Sequence, residues 1–236
     1  MTREGGRRHD QLRPVEILLD YLEQPMGSVL YSQGKTRVLC TASLDEGVPR
    51  WMRDQGRGWL TAEYSLLPAS TGQRTQREAS AGKQKGRTVE IQRLIGRALR
   101  AVLDFEALGE RTLWIDCDVL QADGGTRCAA ISGAYVAAAR ALGRAGLSKA
   151  LPGSVAAVSL GIVGGELLLD LDYQEDSSAE VDLNVVMTGD ERLVEVQATA
   201  ERAPFDRDAL EELLDLGAAG IEQIRSAQEA ALDAAG

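Results

Sequence analysis

The sequence predicts an α+β fold in which strands are followed by helix twice along the chain. Three observations carry this. Thr112–Leu120 and several shorter runs broadly alternate apolar and polar side chains, the two-residue period of half-buried strands. Segments beginning at Thr88 and Asp206 place apolar residues at the 3.6-residue spacing of helices. Leu151-Pro152-Gly153 breaks the chain between two such series, so residues 1–150 and 151–236 are expected to form an N-terminal and a C-terminal half.

With 236 residues and 44% hydrophobic composition, the chain can bury a sizeable core. No apolar run approaches the roughly 20 residues of a membrane span, and Met1 to Arg8 leads into polar sequence, so no membrane association is expected and a cytoplasmic location is. Cys40, Cys117 and Cys128 are odd in number and lie in or beside apolar segments, which points to buried free thiols. His9 is the sole histidine, sits in a polar arm, and is expected on the surface.

The formal net charge of −10 hides an uneven distribution. Residues 50–100 carry 11 Lys/Arg against 4 Asp/Glu, whereas residues 151–236 carry 4 against 19. Such a chain can offer a local polyanion site, or its two charged regions can pair with each other within or between subunits.

Taken in order, Arg7–Val15 reads as an arm entering the fold. Ser28–Gln33 and Thr36–Ala42 are strands joined by Gly34-Lys35, a two-residue hairpin turn with glycine first. Trp59–Tyr64 is a third strand. Leu67 to Gly86 is polar and basic over about 20 residues, a length of loop that is usually functional or disordered. In the helix that follows, Ile91, Leu94, Ile95, Ala98 and Val102 form the apolar stripe, and Thr88 is the expected N-cap. Arg87 then lies just outside the helix start, and Arg93, Arg97 and Arg100 share a polar face that continues the basic loop. Beyond the Thr112–Leu120 strand and its turn, the Ala-rich run Ala129–Leu142 is a helix suited to close packing. Hairpins are expected around Gly164-Gly165 and Gly189-Asp190, and Asp206–Ala235 is one long or broken helix.

Two stretches carry chemistry. Gln121-Ala122-Asp123-Gly124-Gly125-Thr126-Arg127 joins strand to helix, and its glycines permit a tight turn while the helix start directs free N–H groups outward. That arrangement suits an anion, with Thr126 and Arg127 adding a hydroxyl and a guanidinium; taken alone, the motif favours the plainer reading of a strand-to-helix turn with a chance arginine. Asp170 to Asp182 concentrates six carboxylates in 13 residues. If Val181, Leu183 and Val185 face one side of a strand, Asp182 faces the other, where Asp176 can fold back; the pair would suit Mg²⁺, and an exposed acidic turn is the simpler alternative.

These segments together resemble the ribonuclease PH family along nearly the whole chain. The resemblance rests on Gln11-Leu12-Arg13-Pro14, Gly27–Leu30, Trp59–Tyr64, Gly86–Arg97, Asp116–Arg127, Glu175-Asp176-Ser177 and Val181–Thr188. It implies two βαβα-like halves packed as one compact unit, the ribosomal protein S5 domain 2-like fold, assembled as a homo-hexamer that is a trimer of dimers. The implied activity is phosphate-dependent 3′→5′ exoribonuclease, a tRNA nucleotidyltransferase that trims 3′ ends of tRNA precursors, with rRNA as a further substrate class. Inorganic phosphate is the attacking co-substrate. Arg87, Gly125, Thr126 and Arg127 would bind it, Asp176 and Asp182 would hold Mg²⁺ or supply the general acid, and Arg74 and Arg77 would contact RNA. The sequence departs from the family where Ala69 replaces a usual arginine and where Gln197–Arg202 lacks the usual glycines. A catalytically silent ring subunit of an exosome-like assembly is the competing expectation, disfavoured by Arg87, Arg127, Asp176 and Asp182 being present together. A polynucleotide phosphorylase-like degrader would need a duplicated unit and added domains that this length does not hold.

Overall fold

The computed structural model describes residues 3–234; Met1, Thr2, Ala235 and Gly236 lie outside the described residues, as does the expected helix end at Ala235. The first part of the chain forms β1 (Val15–Leu19), β2 (Gly27–Gln33), β3 (Thr36–Glu46), β4 (Trp59–Leu66), α1 (Glu78–Ala81), α2 (Gly86–Arg100), α3 (Phe105–Leu108), β5 (Arg111–Gln121) and α4 (Thr126–Arg144). After Pro152 follow β6 (Val155–Val163), β7 (Glu166–Leu169), α5 (Tyr173–Ser178), β8 (Val181–Thr188), β9 (Leu193–Ala200) and α6 (Arg207–Asp233).

Five strands make the first sheet in the order β1-β2-β3-β5-β4, and four make the second in the order β7-β6-β8-β9. Among the described strands only β4 and β5 pair parallel, because α2 supplies the crossover that parallel neighbours require. Short turns set the antiparallel registers. Gly34 takes φ +59° at the first position of the β2–β3 turn, and Gly164 and Gly165 both take positive φ between β6 and β7.

Helix α4 is the centre of the molecule. Ala129, Ala130, Ala134, Ala137, Ala138 and Ala141 are all buried in it, and their small size lets it lie against β2 and β3 on one side and β6 on the other. The approach is close enough that a Cβ on Gly133 would stand 2.8 Å from both Cys40 Sγ and Tyr31 Cβ. Strand β6 is buried on both faces. Val155 and Ala157 join the α4 core, while Ala156, Val158 and Leu160 join a second core with Leu213, Ile221 and Ile224 of α6. The layers therefore run sheet, helix, sheet, helix.

Several expectations are corrected here. Val15 begins a strand that was read as part of an arm; Val15, Ile17 and Leu19 are partly buried while Glu16 and Leu18 point outward. The cap of α2 is not Thr88. Lys85 occupies the N-cap, and Glu78 from α1 accepts from both the Lys85 N–H and the Thr88 hydroxyl, so the preceding loop caps the helix. Arg87 consequently sits in the first turn, inside the helix. Two of the Arg93/Arg97/Arg100 row do not continue the basic loop: Arg97 pairs with Glu195 of β9, and Arg100 donates to the Leu60 carbonyl and lies over the Trp59 ring. The three cysteines are buried and free, and His9 is exposed, as expected.

Candidate active site

The strand–turn–helix at Gly124-Gly125 forms as expected. Gly124 and Gly125 take φ +75° and +64°, and Gly125 is the N-cap of α4 with no side chain capping it. The first N–H groups of a 19-residue helix are thus left for another acceptor. Glycine is required at both positions. A Cβ on Gly124 would lie 2.7 Å from the Asp172 carbonyl carbon, and one on Gly125 would press Arg13 Nη2 at 3.2 Å and Ser159 Oγ at 3.3 Å.

The turn opens into a cleft of about 690 Å³ that brings together Arg74, Arg87, Gly125, Thr126, Arg127, Asp176 and Asp182. Each expected phosphate ligand and both expected acidic residues therefore share one cavity. The Tyr64 hydroxyl donates to Thr126 Oγ1 at 3.0 Å, which leaves the threonine hydrogen free to point elsewhere. Arg127 Nη1 donates to Gln197 Oε1 and leans toward Glu90 at 3.5 Å, so the second sheet orients this guanidinium through β9. Arg77 lines an adjoining cleft with Lys83, Lys85 and Asp118, and Arg87 faces both clefts. The long loop that carries these groups is tied to the turn, since the Ala122 N–H donates to the Ser70 carbonyl at 2.8 Å. Ala69 is exposed on this loop.

Asp182 projects from β8 on the face turned toward α4, opposite Gly161 of β6. Asp176 comes from α5. Asp182 is half-buried and Asp176 exposed. Desolvation by the surrounding cleft raises both carboxyl pKa values above the ordinary one, and the neighbouring Asp176 raises that of Asp182 further, while Arg87 and Arg127 pull both back down. Among the described residues no group of three or more His, Cys, Asp or Glu is arranged to hold a metal. The two aspartates still suit a hard cation, because their mutual repulsion is relieved by one and Mg²⁺ commonly takes only one or two protein carboxylates, with substrate phosphates and water supplying the rest.

The other carboxylates of the acidic stretch have a different use. Asp170, Asp172 and Glu175 are buried and meet arginines from the N-terminal arm. Arg3 reaches Glu175 at 2.7 Å, and Arg7 lies within 4.0 Å of all three. Arg13 clasps Asp170 through Nε at 3.0 Å, Nη2 at 2.6 Å and its own backbone N–H at 2.7 Å, and Arg13 Nη1 also donates to the Asp123 carbonyl. Asp170 takes φ +57°, which an aspartate tolerates and this clasp holds. The arm thus fixes the position of the Gly124-Gly125 turn and of α5 together. Internal charge pairing accounts for half of the acidic cluster, with the arm and not residues 50–100 as its partner.

The cleft also contains residues the sequence reading passed over: Tyr64, Ser159, Tyr173 and Asn184. Asn184 was within reach, since it lies two residues beyond Asp182 on the same strand face.

Residues 11–142 match the profile of the 3′ exoribonuclease family, domain 1, and residues 153–220 match that family's domain 2. Ribonuclease PH of Bacillus subtilis (strain 168) is 56% identical over 236 residues, covering 98% of this chain and 96% of that one. Ribonuclease PH of Bacillus velezensis is 55% identical with the same coverage. Among solved structures, rice (Oryza sativa) Rrp46 superposes with TM-score 0.80 at 19% identity, covering 98% of this chain and 100% of that chain. The Archaeoglobus fulgidus exosome with RNA bound to the active site superposes with TM-score 0.78 at 23% identity, covering 95% and 91%. Those two likenesses concern the fold alone. Family profiles on both halves and near-full-length identity above one half lead to one conclusion: the chain belongs to the 3′ exoribonuclease family, as a relative of ribonuclease PH.

Proposed function

We propose that this protein is a phosphate-dependent 3′→5′ exoribonuclease that removes nucleotides from the 3′ ends of tRNA precursors, releasing nucleoside diphosphates. The observation that carries the reading is the single cleft holding Arg87, Thr126 and Arg127 beside Asp176 and Asp182. Inorganic phosphate would rest on the free N–H groups at the start of α4, with Thr126 and the two guanidinium groups around it. Holding the attacking oxygen in place and offsetting charge as two anions approach is the main source of rate in phosphoryl transfer. Asp176 and Asp182 would face the scissile phosphate from the opposite wall. Mg²⁺ held by them would neutralise charge on the scissile phosphate and the leaving 3′ oxygen. Alternatively, one of the two aspartates would serve as the general acid for that oxygen instead of as a metal ligand.

Residues 1–150 would supply the phosphate- and RNA-binding elements and residues 151–236 the acidic pair. Arg74, inside the cleft, and Arg77, in the adjoining one, would guide the RNA backbone, whose phosphates are contacted without regard to sequence. The reading includes a homo-hexameric ring, a trimer of dimers, and activity in the cytoplasm; no helix among the described residues is long and apolar enough to cross a membrane. A silent ring subunit is the weaker reading, because a silent subunit has no use for this charged quartet.

The test is incubation with a tRNA bearing extra 3′ nucleotides, with and without phosphate. Nucleoside diphosphates released only with phosphate are expected. Nucleoside monophosphates released without it would replace phosphorolysis by hydrolysis, and no release in either condition would favour the silent subunit.

A further inference from the structure

Three buried side-chain polar atoms have no hydrogen-bond partner among the described residues: Ser70 Oγ, Ser159 Oγ and Gln228 Oε1. A buried hydroxyl without a partner is costly, so each calls for a reason. Only Ser159 lines the cleft.

Its position follows from the register of β6 and β8. Val155, Ala157 and Ser159 alternate onto the β6 face that meets α4, and Ser159 stands opposite Asn184. Passing along this face, the partners of α4 change from Ala157 and Val186 to Ser159, Asn184 and Asp182. The change from apolar to polar occurs where α4 ends and the Gly125 turn begins. Ser159 is 4% exposed, yet its Oγ would lie only 3.3 Å from a Cβ placed on Gly125. The neighbouring polar groups are otherwise engaged: Asn184 Oδ1 accepts from Cys128 Sγ at 3.2 Å, and Asp170 is held by Arg13.

We propose that the Ser159 hydroxyl is a further phosphate ligand, donating a hydrogen bond to an oxygen of the attacking phosphate from the floor of the cleft. This deepens the phosphorolytic reading and rests on phosphate occupying the turn at Gly125. It makes the second sheet part of the anion cradle: the N-terminal half supplies helix N–H groups, Thr126 and two arginines, and β6 supplies a hydroxyl beneath them. An oxygen seated there would give the serine the partner that the protein itself does not, and a donor already fixed beneath the anion needs little reorganisation.

The test uses the full chain with Ser159→Ala and Ser159→Cys, titrated with inorganic phosphate by calorimetry and by phosphate-dependent thermal shift. The phosphate-free variants should melt at or above the wild-type temperature, since an unpartnered hydroxyl has been removed. Phosphate binding should weaken on the order of ten- to a hundredfold, as expected for one hydrogen bond to a charged group. KM for phosphate should rise while KM for RNA stays put. Phosphate affinity within twofold of wild type in both variants would overturn the assignment, and so would a rise confined to KM for RNA, or both variants unfolding without phosphate. Arg127→Ala separates the two levels of inference: if it abolishes phosphate binding while the Ser159 variants keep it, the turn still holds phosphate and only the serine's role is lost. A wild-type protein that phosphate neither binds nor stabilises would end both.

Discussion

Arg13→Ala tests whether the arm builds the site or merely decorates it. Arg13 and Asp170 have side chains 6% and 1% exposed, joined by two side-chain hydrogen bonds at 3.0 and 2.6 Å. Truncating the arginine leaves a buried carboxylate short of its main partner, a change that typically costs about 3–5 kcal/mol. Asp170 keeps the Arg13 backbone N–H at 2.7 Å and Arg7 at 4.0 Å, which places the expected loss at the lower end, about 3 kcal/mol. Adding Asp170→Asn removes the stranded charge, so the double variant should recover about 1–2 kcal/mol. Urea unfolding followed by far-UV circular dichroism, at one fixed protein concentration because any association of copies would shift the midpoint, measures both quantities. The Asp123 carbonyl also loses its clasp, so KM for phosphate should rise in the folded fraction of the single variant. A loss below about 1 kcal/mol, or a double variant less stable than the single one, would refute a buried clasp at this position.

Asp176 and Asp182 give a pH signature. Their carboxyl pKa values lie above the ordinary 3.8, so between that value and the raised ones the folded protein binds more protons than the unfolded chain, and stability falls as pH rises through the window. At neutral pH the ionised pair therefore opposes folding; Asp182→Asn should raise the melting temperature of metal-free protein while abolishing turnover, and a lowered melting temperature would contradict this. Gly125→Ala forces a side chain into φ +64° against Arg13 and Ser159, and should cost about 1–3 kcal/mol and nearly all phosphate binding, read by denaturation and calorimetry. Raising salt from 50 to 200 mM should weaken tRNA binding steeply in a filter assay if Arg74, Arg77 and Arg87 meet RNA phosphates; a flat response would exclude them.

The sequence and the structure agree where the signal is local. Two glycines between an alternating strand and an Ala-rich run define the turn at Gly124-Gly125, and period two along Val181–Val185 turns Asp182 away from the core beneath α6. They part where partners are distant. Glu78 caps α2 from a helix of only four residues, inside a stretch with no periodicity to announce it. Arg13 and Asp170 meet across 157 positions, and nothing near either one names the other. β1 alternates in burial, but Leu18 on its outer face blurs the pattern in the sequence. The Arg97 and Arg100 side chains had the spacing of a basic face, yet Glu195 and Trp59 claim them first. Ser159 was legible only as a lone hydroxyl in an apolar run; the resemblance to a family supplied the charged quartet and was silent on what lies beneath it.

The arm's reach from Arg3 to Glu175 has a consequence for how the protein is made. During synthesis the Gly124-Gly125 turn is translated before β6, α5 and β8, with Arg13 waiting for an aspartate still to be made. A nascent chain halted before Asp170 has neither the clasp nor Asp176 and Asp182. The cleft is complete only late in translation, when the last third of the polypeptide closes onto the first residues.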